Sequence, residues 1–323
     1  MCPGFLFCGS AVTVMPASVS VRVPGSTSNV GSGFDCIGVA VQRWLTLTAR
    51  LATGSSAPPV AIERRGTLAA LATPPEQDLL WRGFVQACVA AERQPPRNVL
   101  LTVESDIPVA RGLGSSAAAT VAGAVAAVTL LDLGLEREVI TKLCAELEGH
   151  ADNVAPAIYG GATLVLREPG DAGGIAVTPL ALHESLALTF AVPDFLVETK
   201  QARAVLPQTV PHALAVQAAA RSAALVQGLA RAEPRLLAAG LDDVLHMPYR
   251  RALVRGYDAV ANAALAAGAF GATLSGSGPT MLAVTTADRA AAVGASMVAA
   301  WRDAGVRAET FQLTRPARGY VVS

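Results

Sequence analysis

Lysine is nearly absent from this 323-residue sequence: Lys142 and Lys200 are its only lysines among 25 basic residues, and the rest are arginine. Neither lysine follows a glycine-rich loop, which excludes a Walker-type nucleotide site. Any anion must then be held by guanidinium forks, backbone N–H groups and helix ends. An excess of one charge is also missing. Twenty-five acidic residues balance the 25 basic ones, leaving none of the basic stripe that nucleic acid requires. The five cysteines (Cys2, Cys8, Cys36, Cys88 and Cys144) are scattered, with no C-x-x-C pair. That excludes a disulfide framework and a zinc site and points to a reducing cytoplasm. Long hydrophobic runs are lacking as well: the longest, residues 117–131, falls short of the ~18–20 residues of a membrane span and reads as a buried core helix. Charged residues make up only 15% against 52% hydrophobic ones, which excludes disorder over most of the length.

The length suits two domains of ~100–200 residues each. The apolar opening, MCPGFLFCGSAVTVM, carries no Lys or Arg, so it does not read as a signal peptide. It reads as an over-long start with Met15 as initiator, and residues 1–17 are set apart as an extension. The clearest break in composition is EPGDAGG at 168–174, which divides the chain into domains 18–175 and 176–323. Alternation predicts strands at 18–23, 41–52 and 60–64, with a polar loop at 24–33 and a turn at GSSAPP. Helical spacing predicts helices at 76–93, from about 116, and at 136–148. Strands are expected at 98–104, 162–167 and 186–192. Further helices are expected at 214–231, 234–245, 250–267 and 289–304, around a strand–turn–strand at 273–285. Without strict βαβ alternation, the class is α+β.

Residues 108–118 read PVARGLGSSAA. Gly112 and Gly114 let main-chain N–H groups approach a ligand, and Ser115 and Ser116 are suitable N-caps for the helix that follows. A glycine-rich loop feeding a helix N-terminus is a phosphate cradle; the bland reading is a tight, serine-capped turn. The nearest cation is Arg111. Residues 23–38, VPGSTSNVGSGFDCIG, place Asn29 and Asp35 in one loop, a pairing suited to an alcohol and an ammonium group. Residues 273–282, TLSGSGPTML, bring Gly276, Ser277 and Gly278 into a turn that closes on a ligand or is an ordinary hairpin.

The string P-x-x-x-G-L-G-S-S-A resembles the signature of the GHMP kinase superfamily, and the other two blocks stand where its N- and C-terminal motifs belong. Within it, EGHADNVAPAIYGG at 148–161, Thr199-x-x-x-Arg203 and HMPYR at 246–250 resemble the homoserine kinases. The likeness spans residues 18–285. It implies a two-domain fold, with an N-terminal ribosomal-protein-like domain and a C-terminal ferredoxin-like one. The implied reaction is ATP- and Mg²⁺-dependent phosphorylation of the L-homoserine hydroxyl, as a step in threonine biosynthesis. Alternatives are a kinase for another small alcohol, such as mevalonate or L-threonine, and a non-catalytic ligand- or RNA-binding module. A homodimer is also compatible with the resemblance.

By the same resemblance, Asn29, Asp35, His150, Asp152, Thr199, Arg203 and Arg250 line the homoserine site. Pro108, Arg111, Gly112, Leu113, Gly114, Ser115, Ser116, Ala117 and Ala118 cradle ATP together with Gly276, Ser277 and Gly278. Ser116 and Glu148 match the metal ligands, with Ser115 and Glu146 as near alternatives. Arg203 and Arg250 are placed to fork onto a carboxylate, with Arg251 competing for the second place. Where related kinases carry a basic Asp, this sequence has Asn153, and an amide is no general base. Asp35 remains open for that role. His183, His212 and His246 are assigned surface or capping roles.

Overall fold

The computed structural model describes residues 17–52, 59–167 and 174–323. The 1–17 extension, the GSSAPP turn and the 168–174 break lie outside the described residues except at their last positions. The first sheet takes β1 (Ser18–Asn29), β2 (Gly33–Leu51), β3 (Val60–Gly66) and β4 (Val99–Ser105) in the order β1-β2-β4-β3. β5 (Ala162–Arg167) pairs with the opening residues of β2, and β6 (Ile175–Leu180) with β5. β6 thus continues the larger sheet beyond residue 175. The chain's last strand, β11 (Val321–Val322), returns to this sheet on β1.

The polar stretch expected as a loop at 24–33 is strand as far as Asn29. It pairs with β2 through a bulge at Pro24/Gly25. Ser26, Thr27 and Ser28 are buried, and their hydroxyls meet Asn153 and Ser275, so polarity does not expel them from the interior.

The sheet is covered by α1 (Leu79–Ala90), α2 (Ser115–Leu130), α3 (Arg137–Glu148) and the short α4 (Val154–Tyr159). The run at 117–131 is the core helix that its composition predicts; nearly every residue of α2 is buried. Glycine makes this close packing possible. A Cβ on Gly123 would stand 1.8 Å from the Leu80 carbonyl oxygen, and one on Gly83 2.2 Å from that of Thr120. The two helices therefore cross almost backbone to backbone.

The second sheet is antiparallel, in the order β10-β7-β9-β8, from β7 (Leu186–Pro193), β8 (Gly271–Leu274), β9 (Met281–Thr286) and β10 (Ala308–Leu313). Its strands, taken in chain order, lie as fourth-first-third-second, the ferredoxin-like arrangement. Leu188, Phe190 and Val192 of β7 join the core of the first sheet, while Ala191 faces a second core around Trp301. One continuous apolar interior thus fixes the two sheets together.

Between β7 and β8 run α5 (Thr199–Ala204), α6 (His212–Arg231), α7 (Pro234–Leu241), α8 (Met247–Arg250) and α9 (Tyr257–Ala266); α10 (Ala290–Asp303) precedes β10. The single helix expected at 250–267 is broken, because Gly256 adopts φ +74° as the N-cap of α9. Ahead of it lie a 3-10 turn at Arg251–Leu253 and the extended Val254, so α8 stands as a separate turn ending at the buried Arg250. Among the described residues no helix is long and apolar enough to cross a membrane.

Candidate active site

α2 begins where the glycine-rich loop ends. Gly114 is its N-cap, at φ +69°, and no side chain caps the helix. The capping role expected of Ser115 and Ser116 is therefore not taken: both are already helical, because the left-handed residue that turns loop into helix is glycine. The first-turn N–H groups are left open at the positive end of the helix dipole. At Gly112, φ +74°, a Cβ would lie 2.1 Å from the Ser275 carbonyl oxygen. Ser275 Oγ donates to the Gly112 carbonyl at 2.5 Å and meets Thr27 Oγ1 at 2.8 Å. The Gly276 N–H donates to the Ser28 carbonyl at 3.0 Å. The C-terminal glycine turn is thereby seated on the loop and on β1.

These segments enclose a cleft of about 430 Å³. Leu68, Leu71, Leu79 and Leu80 give it one apolar wall, and the loop residues 108–116 run through it. The sequence-named residues Asn29, Asp35, His150, Asp152, Asn153 and Thr199 line it, as do Arg203, Arg250, Gly276 and Ser277. Ala117 and Ala118 do not: both are fully buried in the core behind the loop. Gly278 also stands outside the lining and closes its turn by donating to Ser275. Arg111 lines the cleft, yet its guanidinium is spent elsewhere. It donates to the carbonyls of Pro193, Val109 and Asp194 at 2.9, 3.2 and 2.9 Å, because the loop passes the exit of β7. Burial lowers its pKa, with Asp194 opposing.

At the charged end, Arg203 grips Asp35 with two bonds, Nη1 to Oδ2 at 3.1 Å and Nη2 to Oδ1 at 2.8 Å. This contact raises the Arg203 pKa against the opposing effect of burial. Asp35 sits at φ +59°, and its N–H donates to Asn29 Oδ1 at 3.0 Å. Asn29 in turn donates to the Gly276 carbonyl at 2.8 Å, so it braces the loop. Arg250 is 2% exposed, with Nε donating to the Ala202 carbonyl at 3.0 Å. Burial, and then Arg203, push its pKa down to about 10. Arg251 instead pairs with Asp258 at the surface, so the inward arginine of this pair is Arg250.

His150 Nδ1 lies 2.8 Å from Asp152 Oδ1. Burial opposes charge on both, but their attraction prevails, raising the pKa of His150 and lowering that of Asp152. Asn153 is held on both sides of its amide: Oδ1 accepts from Ser26 Oγ at 2.8 Å, and Nδ2 donates to Ser28 Oγ at 2.9 Å. Thr199 Oγ1 is 3.3 Å from Ser277 Oγ.

Beside the loop, Ser116 Oγ donates to Glu148 Oε2 at 2.7 Å and Thr120 Oγ1 to Oε1 at 2.9 Å. Glu146 is exposed. Two oxygen types, a hydroxyl and a carboxylate, thus converge at the start of α2. Sequence reasoning missed Thr120, whose spacing of four residues from Ser116 places both on one helix face. It also misses Ser26 and Ser28, which lie in strand β1 where polarity predicts a loop. His246, assigned a surface or capping role, is completely buried and stacks on Phe34.

Comparison with known proteins shows the family. The family descriptions "GHMP kinases N terminal domain" and "GHMP kinases C terminal" match residues 80–161 and 223–303. A homoserine kinase of Picosynechococcus sp. is 40% identical over 311 residues, covering 94% of this chain and 99% of its own. One from Synechococcus sp. is 42% identical over 294 residues, covering 90% and 94%. Among solved structures, a homoserine kinase from Cytophaga hutchinsonii superposes with a TM-score of 0.84 at 29% identity, covering 98% of this chain and 100% of its own. L. major mevalonate kinase shares the fold, with a TM-score of 0.67 at 17% identity over 92% of this chain and 95% of its own.

Proposed function

Because the chain belongs to the homoserine kinases of the GHMP kinase family, we infer that it transfers the γ-phosphoryl group of ATP to the side-chain hydroxyl of L-homoserine. The product, O-phospho-L-homoserine, is an intermediate of threonine biosynthesis. The observation that carries the substrate assignment is the Asp35–Arg203 pair, with Arg250 buried beside it in the same cleft. A zwitterionic amino acid exchanges this one internal ion pair for two, its ammonium meeting a carboxylate and its carboxylate a guanidinium fork.

The open N–H groups at the start of α2 and the loop 108–114 hold the triphosphate, and the leucine wall takes the adenine. Ser116 and Glu148 would hold a magnesium ion. The fit rests on their donor chemistry: two hard oxygen ligands suffice for a cation that keeps waters and phosphate oxygens. When bound, this ion neutralises charge on the β- and γ-phosphates.

No carboxylate of the cleft is poised to accept the hydroxyl proton. Asp35 exchanges Arg203 for the substrate ammonium, Asp78 is paired with Arg64, Asp152 lies against His150, and Asn153 is an amide whose oxygen accepts from Ser26. Catalysis then rests on alignment and charge stabilisation, with the proton passing to phosphate or solvent. The free thiols Cys36, Cys88 and Cys144 support a reducing, cytoplasmic setting.

A coupled assay for ADP tests the assignment. Homoserine is expected to drive ADP release and to yield a phosphomonoester visible by ³¹P NMR, whereas mevalonate, lacking an ammonium, is not. Faster turnover of mevalonate or threonine than of homoserine would overturn it. The loop has its own test in Gly112→Ala. The added methyl meets the Ser275 carbonyl in a left-handed conformation that costs ~1–2 kcal/mol by itself. The KM for ATP should rise about tenfold or more, with the KM for homoserine little changed; an unchanged ATP KM would separate the loop from the nucleotide.

A further inference from the structure

His246 has no part in the chemistry described above, yet it is buried between two halves of the amino-acid pocket. Its Nε2 lies 3.1 Å from the Gly31 carbonyl oxygen. A carbonyl can only accept, so Nε2 carries the proton. Nδ1 then presents its lone pair to Nη1 of Arg250, 3.5 Å away. The ring stacks on Phe34 at 4.8 Å and 24°, and the guanidinium carbon of Arg250 lies 5.1 Å from the centroid of the same phenyl ring. From behind, Asp243 Oδ2 accepts the N–H groups of Leu245, His246 and Met247 at 3.0, 2.7 and 2.8 Å, and it stands 3.7 Å from Nε2. Burial lowers the His246 pKa; Asp243 opposes this and Arg250 reinforces it. The imidazole is therefore neutral, with a donor for one neighbour and an acceptor for the other.

The turn it touches requires support. Asn29, Val30 and Gly31 have φ of 70°, 50° and 78°, and Asp35 has 59°. Non-glycine residues persist in such conformations only where their surroundings hold them. One tie is the Ser32 N–H, which donates to the Gly240 carbonyl at 2.9 Å. Asn29 adds a second through the Gly276 carbonyl, which Arg250 Nη1 also reaches at 3.4 Å, and His246 a third, which joins Gly31 to Arg250 through a single side chain.

We propose that His246 is a positioning residue for the amino-acid substrate: its imidazole bridges the Gly31–Phe34 turn to Arg250 and thereby sets the spacing between the Asp35 turn and the inward guanidinium. The role rests on the homoserine pocket proposed above. It makes the distance between the pocket's acidic and basic groups depend on a side chain that contacts neither substrate.

The test uses the full chain, three variants at His246 and the Arg203→Ala and Arg250→Ala variants, with steady-state KM and kcat for both substrates and a thermal unfolding curve for each. His246→Ala removes both bonds and the stack. His246→Gln places an amide N–H near the Nε2 position and keeps the tie to Gly31. His246→Asn places a carbonyl near the Nδ1 position and keeps the acceptor for Arg250. The expected result for Ala is a KM for homoserine raised roughly tenfold or more, with the KM for ATP within about twofold of the parent. Gln and Asn should each recover part of that loss. The two amide variants decide the matter if Ala does not fold. Equal losses for both substrates, or no recovery by either amide, would reveal a merely structural role and overturn the proposal. An unchanged homoserine KM in all folded variants would overturn it too, while Arg203→Ala and Arg250→Ala still raise that KM. If those two arginine variants also leave it unchanged, the pocket reading itself fails, and this inference with it.

Discussion

Arg203→Ala is expected to raise the KM for homoserine roughly 10- to 100-fold and to leave the KM for ATP within about twofold. The split follows from what the guanidinium touches. Both of its donated bonds go to Asp35 at 2.8 and 3.1 Å, and none reaches the phosphate loop. Loss of Arg203 takes away the fork for the substrate carboxylate and also frees Asp35 from the partner that orients it. The pair is more than one-third exposed, so its own contribution to stability is small, and the unfolding temperature should change little. The cost appears when homoserine binds, because its carboxylate loses a bidentate partner in a cleft that excludes much of the water. Arg203→Lys keeps the charge without the fork and should fall between parent and Ala. Steady-state kinetics with each substrate varied in turn provide the measurement. An unchanged homoserine KM would remove Arg203 from the pocket.

The elements that carry this site were legible in the sequence to different degrees, for physical reasons. The loop at 112–114 announced itself because glycine is required wherever backbone approaches backbone, and the Ser275 carbonyl shows what it approaches. The cap did not. Two serines after a glycine look like N-caps, but the left-handed residue had to be Gly114 itself, and Ser116 became free to meet Glu148. The strand through Asn29 was hidden because its buried side chains are Ser26, Thr27 and Ser28, whose partners Asn153 and Ser275 lie more than a hundred residues away. Composition registers polarity without registering the hydrogen bond that neutralises it. The choice between Arg250 and Arg251 was open for a related reason. It depends on contacts distant in sequence: Arg250 is buried with Nε on the Ala202 carbonyl, whereas Arg251 opens a separate 3-10 turn and pairs with Asp258.

Glu148→Gln should depress kcat on the order of 10²-fold while changing the KM for homoserine far less. Glu148 closes α3 and reaches the first two turns of α2, where Ser116 and Thr120 donate to its two oxygens at 2.7 and 2.9 Å. An amide keeps the shape and still accepts one of these bonds, so packing and folding survive the change. What it removes is the negative charge that a divalent cation needs beside the phosphates. The transferring group spreads charge over its oxygens in the transition state, so the loss falls on kcat more than on binding of either ground-state substrate. Magnesium titration supplies the second readout: half-maximal activity should move to higher magnesium concentration in the variant, and saturation should restore only part of kcat. Thr120→Val tests the support of the carboxylate rather than its charge. It should produce a smaller fall in kcat, since one of two donors to Glu148 remains. A kcat close to that of the parent at saturating magnesium in Glu148→Gln would count against the assignment. The Ser116–Glu148 contact would then be read as a helix-to-helix brace, and the ligand of the cation would have to be sought in the carboxylates that line the cleft, Asp35, Asp78 and Asp152. Among these, Asp35 and Asp78 are each tied to an arginine and Asp152 to His150, so each would have to give up an ion pair to serve. That cost is the reason Glu148, whose hydrogen-bond partners among the described residues are two hydroxyls, is the better ligand on energetic grounds.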